Sequence, residues 1–195
     1  PVKLAEFIAH LRYPEDVTTE YLDLEAKLSA AVAAIQASTA RVLVSSTAVL
    51  TLEGWPSKAF IELPGGQTSA ITTLKYTDSA GTVTTVAATE YKLVRGYTVT
   101  APLQIIDALA RLHLAFGNTW PAATLDYGEP IEVTYVTGWK DAASVPWALR
   151  AAILLEGGHL YKNRESVTLG TFSIESKNLA RGVDDLIETY RIVGY

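Results

Sequence analysis

The chain has 195 residues and a mass of 21.0 kDa, and its 16 Lys and Arg against 21 Asp and Glu give a formal charge of −5. Hydrophobic residues make up 49% and charged residues 19%, the balance of a globular chain able to bury its own core without metals or staples. With no cysteine it has no disulfide, zinc-thiolate site, iron–sulfur ligation or thiol nucleophile, and its acidic balance argues against a protein whose main task is gripping phosphates. The longest apolar runs, residues 30–35 and 151–155, fall far short of the roughly 20 residues that cross a bilayer. The start, Pro1-Val2-Lys3-Leu4, leads into an amphipathic helix broken by Glu6 and followed by His10 and Arg12, which is not the pattern of a signal peptide. A first-position proline fits removal of an initiator Met, and synthesis in the cytoplasm is the expectation.

Composition divides the chain into residues 1–44, 45–144 and 145–195, with local charges of −2, −3 and 0. In the first region Leu4, Phe7, Ile8 and Leu11 fall at i, i+3, i+4 and i+7, one face of a short helix that Pro14 ends. Thr18 or Thr19 can cap a second helix with Glu20 and Asp23 in its first turn, where negative charge is favoured. Tyr21, Leu24, Leu28, Ala31 and Ile35 continue it to about Ser38, and the flanking alanines keep it slim. It reads mainly as a packing helix, and more sharply as one set against copies of itself, with Leu28 and Val32 as subunit contacts.

The middle region reads as strands. Val42 to Val44 leads into Ala48 to Leu52, and Phe60 to Leu63 alternates with the strand period of 2 before a turn at Pro64-Gly65-Gly66. Gly65 to Ser69 lacks the lysine and following helix of a phosphate loop and reads as a hairpin turn. Ile71 to Tyr76 and Thr82 to Val86 flank Asp78-Ser79-Ala80-Gly81 as a hairpin. Tyr91 to Val94, Tyr97 to Thr100 and Ile131 to Val136 complete the set; Arg111 to Phe116 is compatible with strand, and Leu103 to Leu112 fits helix and strand equally. In the third region Ser144 can cap a helix with Pro146 in its first turn, and Leu149, Ala152, Ile153, Leu160 and Tyr161 mark its buried face. Gly157 and Gly158 inside it cost about 1 kcal/mol each relative to alanine, which a closely packed second backbone would offset. A last helix runs from about Leu179 through Val183, Leu186, Ile187 and Tyr190, followed by the apolar tail Ile192 to Tyr195. The fold class expected is α+β: a helical scaffold built from both ends, with a small antiparallel β lobe inserted between.

Little in the chain points to catalysis. His10, His113 and His159 lie in different elements with no metal-ligand spacing, and no Gly-x-Ser-x-Gly elbow is present. Asp184, Asp185 and Glu188 read as a solvated face, and Lys162, Arg164, Lys177, Arg181 and Arg191 as ion-pairing residues between elements or subunits. The expectation is a protein that is not an enzyme and uses no metal or cofactor. An alternative is a β-rich module binding a carbohydrate or other surface ligand, with Trp55, Tyr76, Tyr91, Tyr97, Trp120 and Tyr127 as stacking platforms; strand and core residues are the plainer account of them.

The third region also resembles a known family. Val145-Pro146-Trp147-Ala148-Leu149-Arg150-Ala151-Ala152-Ile153-Leu154-Leu155, then His159-Leu160-Tyr161-Lys162-Asn163-Arg164-Glu165, is similar to the signature of tailed-phage head–tail connector proteins, the head-completion adaptors also found in gene transfer agents. Trp120-Pro121-Ala122, Ile131 to Val136 with Gly138-Trp139, His10-Leu11-Arg12, and Gly182 to Leu186 with Tyr190-Arg191 resemble further family segments in the same order. Trp139 stands where the family usually has tyrosine, and Leu103 to Leu112 is longer than usual there. The resemblance implies a ring, typically of twelve subunits, beneath the portal of a filled particle, extending the DNA channel and meeting a tail-side connector or stopper. DNA would pass through without specific binding, and no membrane is involved. It implies that Leu179 to Tyr195 faces the portal, through Leu186, Ile187, Tyr190, Arg191, Ile192, Val193 and Tyr195. It also implies a subunit contact near Tyr161, Arg164 and Glu165, to which the close-packing glycines Gly157 and Gly158 are added.

Overall fold

A computed structural model of the chain describes residues 1–14, 20–95, 109–163 and 182–192. The fold is α+β and divides into two compact units, one built from Pro1–Leu43 with Lys140–Val193, the other containing Val44–Trp139. The expected Thr18 and Thr19 caps, the strand at 97–100 and the ambiguous stretch 103–108 lie outside the described residues.

In the helical unit, α1 (Leu4–Leu11) opens with the Glu6 carboxylate accepting the Lys3 backbone N–H at 3.3 Å and closes at Arg12 in the left-handed region. Its apolar spacing buries Phe7 and Ile8. The helix α2 (Tyr21–Thr39) starts from Glu20 and buries one stripe, Leu24, Leu28, Ala31, Ile35 and Thr39. A 3-10 turn (Ala142–Ser144) precedes α3 (Trp147–Lys162), which packs against both α1 and α2. Ser144 does not cap α3: the Asp141 carboxylate accepts the Ser144 N–H and hydroxyl at 2.8 and 2.7 Å, and Pro146 stands at the helix cap. Those bonds hold the Asp141 carboxyl below its ordinary range.

The two glycines of α3 differ. A Cβ on Gly157 would lie 2.8 Å from the Phe7 ring, whereas one on Gly158 would meet nothing nearer than Leu11 at 3.7 Å. The close approach is therefore a ring of the same chain on the helix backbone, which corrects the expectation of a second backbone there. One level up, Arg150 donates to Glu6 at 2.7 Å; at the far end, Tyr13 meets Tyr161 edge to face at 6.1 Å.

In the β unit, a four-stranded antiparallel sheet runs in the order β1 (Ser46–Leu52), β7 (Ile131–Thr137), β3 (Thr68–Thr77), β4 (Val83–Thr85). A three-stranded sheet runs β2 (Phe60–Leu63), β6 (Ala110–Leu114), β5 (Tyr91–Val94). Strand β7 is central, and its alternate residues Ile131, Val133 and Tyr135 enter a core shared with Ile61, Leu63, Leu74, Tyr91 and Leu112. The β3–β4 hairpin forms as its turn residues predict, with the Asp78 carboxylate accepting the N–H groups of Ala80 and Thr82 at 2.9 Å. Pro64 to Gln67 is not a hairpin, because β2 and β3 belong to different sheets; Gly65 and Gly66, both at φ 94°, turn the chain from one sheet to the other. Residues 42–45 are not strand either, and Leu43 is buried in the helical unit. At the lobe's base, Gly138 takes φ 99°, and a Cβ there would strike the Val44 backbone at 2.7 Å, so only glycine fits.

Because the Phe7 ring is fully buried and cannot swing aside, Gly157→Ala should destabilise the protein by about 1–3 kcal/mol through overpacking. Gly158→Ala should stabilise it by about 0.5–1 kcal/mol through helix propensity. Urea denaturation of the two variants checks this, and shifts of the same sign would refute the packing account. A second expectation concerns acid. The hydrogen bond from Arg150 holds the Glu6 carboxyl below its usual range, so the pair stabilises the fold at neutral pH and is lost as pH falls through the native pKa. The stability gap between wild type and Glu6→Gln should be largest near pH 7. It should close below about pH 4.3, the ordinary glutamate value, and stay under about 1 kcal/mol because the Glu6 side chain is 41% exposed. A gap constant from pH 7 to pH 3 would show that the ion pair contributes nothing.

Candidate interaction surface

The C-terminal segment is seated by its own residues. Residues 182–187 are helical and pass into a 3-10 turn (Glu188–Tyr190); Val183, Ile187 and Tyr190, at i, i+4 and i+7, are buried. Arg41, 2% exposed, donates from Nε to the Tyr190 carbonyl. The Ile192 N–H donates to the Thr39 carbonyl at 3.1 Å. The end of α2 is shaped to allow this. Ala40 takes the left-handed conformation at φ 53°, the Arg41 N–H returns to Gln36 at 3.2 Å, and the Gln36 side chain accepts the Leu43 N–H at 3.0 Å. That bend carries Arg41 under the last turn of the chain. Burial pushes the Tyr190 hydroxyl pKa up, and the Arg41 charge opposes the rise.

Outside this seat, Arg191 straps the exposed face by pairing with Asp184 at 2.7 Å and Glu188 at 3.3 Å. Asp184, Asp185 and Glu188 are exposed, as a solvated face requires. Of the residues expected to meet a portal, Ile187 and Tyr190 are thus packed in the chain's own core. Leu186, Arg191 and Ile192 remain half-exposed, and Val193 and Tyr195 lie outside the described residues.

The expected subunit contacts divide in the same way. Leu28 and Gly157 are buried within the helical unit and have no surface to offer, and Gly158 faces Leu11 and His10. In the single chain these three serve intrachain packing. Val32 and Tyr161 are half-buried, and Arg164 and Glu165 lie outside the described residues. What α2 presents outward is Glu25, Ala26, Ser29, Ala30, Ala33, Ala34, Ala37 and Ser38, a face of low relief beyond Glu25, with Leu22, 83% exposed, near its start. At the start of α3, Trp147 is 76% exposed with the Arg150 guanidinium 4.2 Å from its ring centroid. Trp147 was legible as an outward residue, since it lies two positions before buried Leu149 and so off the apolar face.

The carbohydrate-platform aromatics are mostly spent. Trp55 and Trp120 stack on each other at 4.9 Å, Tyr76 meets Trp55 at its edge, and Tyr91 is buried. Trp120 also donates to the Lys58 carbonyl at 2.9 Å, and Tyr97 lies outside the described residues. Tyr127 is fully exposed, as is Phe116, which sequence reasoning passed over inside a strand that in fact ends at Leu114. His159 is bonded to Asn163 at 3.0 Å. Among the described residues no group of three His, Asp or Glu is placed to hold a metal, and no helix is long and apolar enough to cross a membrane.

No protein-family model matches the chain, and no curated protein sequence matches it. Solved structures do. The chain is similar to one in the neck of an empty gene transfer agent (GTA) particle computed with C6 symmetry, at 29% identity and a TM-score of 0.76, covering 100% of this chain and 91% of that one. A chain of the virion of the native GTA particle matches at 29% identity and a TM-score of 0.75, with the same coverage. A chain of the native GTA neck computed with C12 symmetry matches at 27% identity and a TM-score of 0.70, over 98% of this chain and 89% of that one. In sequence and in fold, from end to end, the chain is similar to components of GTA necks and virions.

Proposed function

We propose that the chain is a structural adaptor of the head–tail junction in a phage or gene-transfer-agent particle. In this reading it is not an enzyme and holds no cofactor. The observation that carries it is the full-length likeness to chains of GTA necks. Those necks are computed with C6 and C12 symmetry, which supports a ring of this chain, with twelve copies the natural number. A ring that closes by rotation is heterologous, so each copy must offer two different faces. The low-relief outer face of α2 and the exposed Trp147 beside α3 are two such faces on the helical unit.

In this reading the segment after Tyr190 docks on the portal, and the opposite side of the ring meets a tail-side connector or stopper. Arg41 and Thr39 hold the backbone at Tyr190 and Ile192, so the chain is anchored as far as Ile192. Anchoring there lowers the ordering cost of docking. The net charge of −5 suits a channel wall that DNA passes without sequence-specific capture.

Electron microscopy of purified particles should show this chain as a ring between portal and tail; a particle carrying it elsewhere refutes the reading. Removing residues 193–195 should abolish attachment to purified portal while leaving thermal unfolding unchanged. Normal attachment by the truncated chain would remove the tail assignment. Arg41→Met should lower stability by about 1.5–3 kcal/mol, the range for a hydrogen bond made by a charged group, and weaken portal attachment even at temperatures where the variant is fully folded.

A further inference from the structure

The lysines and arginines of the β unit are unevenly engaged. Lys75 pairs with Glu132 at 3.6 Å, and Arg95 donates to the carbonyls of Thr68 and Ser69. Lys58, Lys92 and Arg111 are exposed on one face, the outer side of the β2–β6–β5 sheet, and of these three only Arg111 pairs with a carboxylate among the described residues, that of Glu62. Strand alternation puts them there: Ile61, Leu63, Leu112 and Tyr91 point into the core, so Phe60, Glu62, Arg111, His113 and Lys92 point out. Register then lines them up. Phe60 stands opposite His113, which stands opposite Lys92; Glu62 stands opposite Arg111.

The Phe60 ring is the centre of the band. The Arg111 guanidinium lies 4.5 Å from its centroid, the Lys58 ammonium 5.3 Å away, and the His113 ring is stacked at 5.9 Å. Glu62, 3.0 Å from Arg111, is the one carboxylate in these two rows. Neither Lys58 nor Lys92 has a carboxylate partner among the described residues. A chain with an excess of acid thus keeps three cations and one carboxylate on a single sheet face, two of the cations over the Phe60 ring.

We infer that this face is a contact surface for the phosphate backbone of double-stranded DNA, independent of base sequence. The inference deepens the adaptor reading and rests on it for the presence of DNA. Charge complementarity identifies a polyanion, and the face's make-up selects DNA over an acidic protein. A protein interface needs a core depleted of charge, and lysine is under-represented there; here the apolar surface amounts to Val94 and part of Phe60. Hydrated ammonium groups on flexible stems suit phosphates that slide past, each adding a weak, salt-sensitive contact.

The test is fluorescence anisotropy of a labelled 30-base-pair duplex with the full chain at low salt. Three phosphate contacts predict that log affinity falls against log salt with a slope of about −2 to −3. The variant Lys58→Gln/Lys92→Gln/Arg111→Gln should bind at least tenfold more weakly, and the milder Lys58→Gln/Lys92→Gln, which leaves the Phe60–Arg111 contact in place, several-fold more weakly. Lys75→Gln should bind as wild type. Failure of the wild-type chain to bind duplex, equal binding by both glutamine variants, or binding of poly-glutamate as tight as duplex would each overturn the inference. Failure of the adaptor reading would appear in particle images and leave this measurement unchanged.

Discussion

The helical unit depends on the contact of the Phe7 ring with the backbone of Gly157. The two segments that build this unit, before residue 44 and after residue 139, are separated in the chain by the whole β lobe. Their junction therefore has to pay a loop-closure entropy that grows only logarithmically with the length between, and has to be specific enough to reject other pairings. A ring pressed on a backbone that has lost its side chain supplies that specificity, because shifting the helices by one turn would drive the ring into the side chain of Ile153 or Tyr161. The Glu6–Arg150 pair and the Tyr13–Tyr161 contact repeat the same register at either side. Once α1 and α3 are set, α2 has a defined groove, and its end places Arg41 where the last turn of the chain can be held.

Much of this architecture was legible because it follows from periodicity. The helix around Leu4 to Leu11, the single apolar stripe of α2, the β3–β4 hairpin and the alternation of β7 all came from spacing that tertiary packing had no reason to override. The errors fell where a local signal has two structural uses. Pro64-Gly65-Gly66 says that the chain turns, and cannot say whether the next strand joins the same sheet. Ser144 before Pro146 is a good cap, yet Asp141 took that chemistry one turn earlier. Val42 and Val44 are β-branched and flank apolar Leu43, and the structure uses the stretch to leave the helical unit.

The candidate surface was harder to read, for a reason of the same kind. Small residues at Gly157 and apolar residues at Ile187 signal close contact without naming the partner. Here the partner is the chain itself, since both are buried against its own residues. Outward positions carry the opposite ambiguity: Phe116 keeps the parity of buried Leu112 and Leu114 and is exposed only because the strand ends at Leu114, whereas Trp55 and Trp120 cover each other. Arg41 could not have been singled out from sequence, because its role depends on the left-handed turn at Ala40 and on a carbonyl 149 positions away.

The base of the β lobe has a consequence for how such a chain can change. Ser45 donates to the Trp139 carbonyl at 2.8 Å, and Gly138 lies against the Val44 backbone. The lobe's entry and exit are therefore side by side, the arrangement in which insertions are tolerated because the host sees only a short bridge. The strands between can lengthen, shorten or be exchanged for another fold while the helices on either side keep their register. Gly138 is the residue that keeps the two ends close enough for such an exchange, because a side chain there would push the Val44 backbone away.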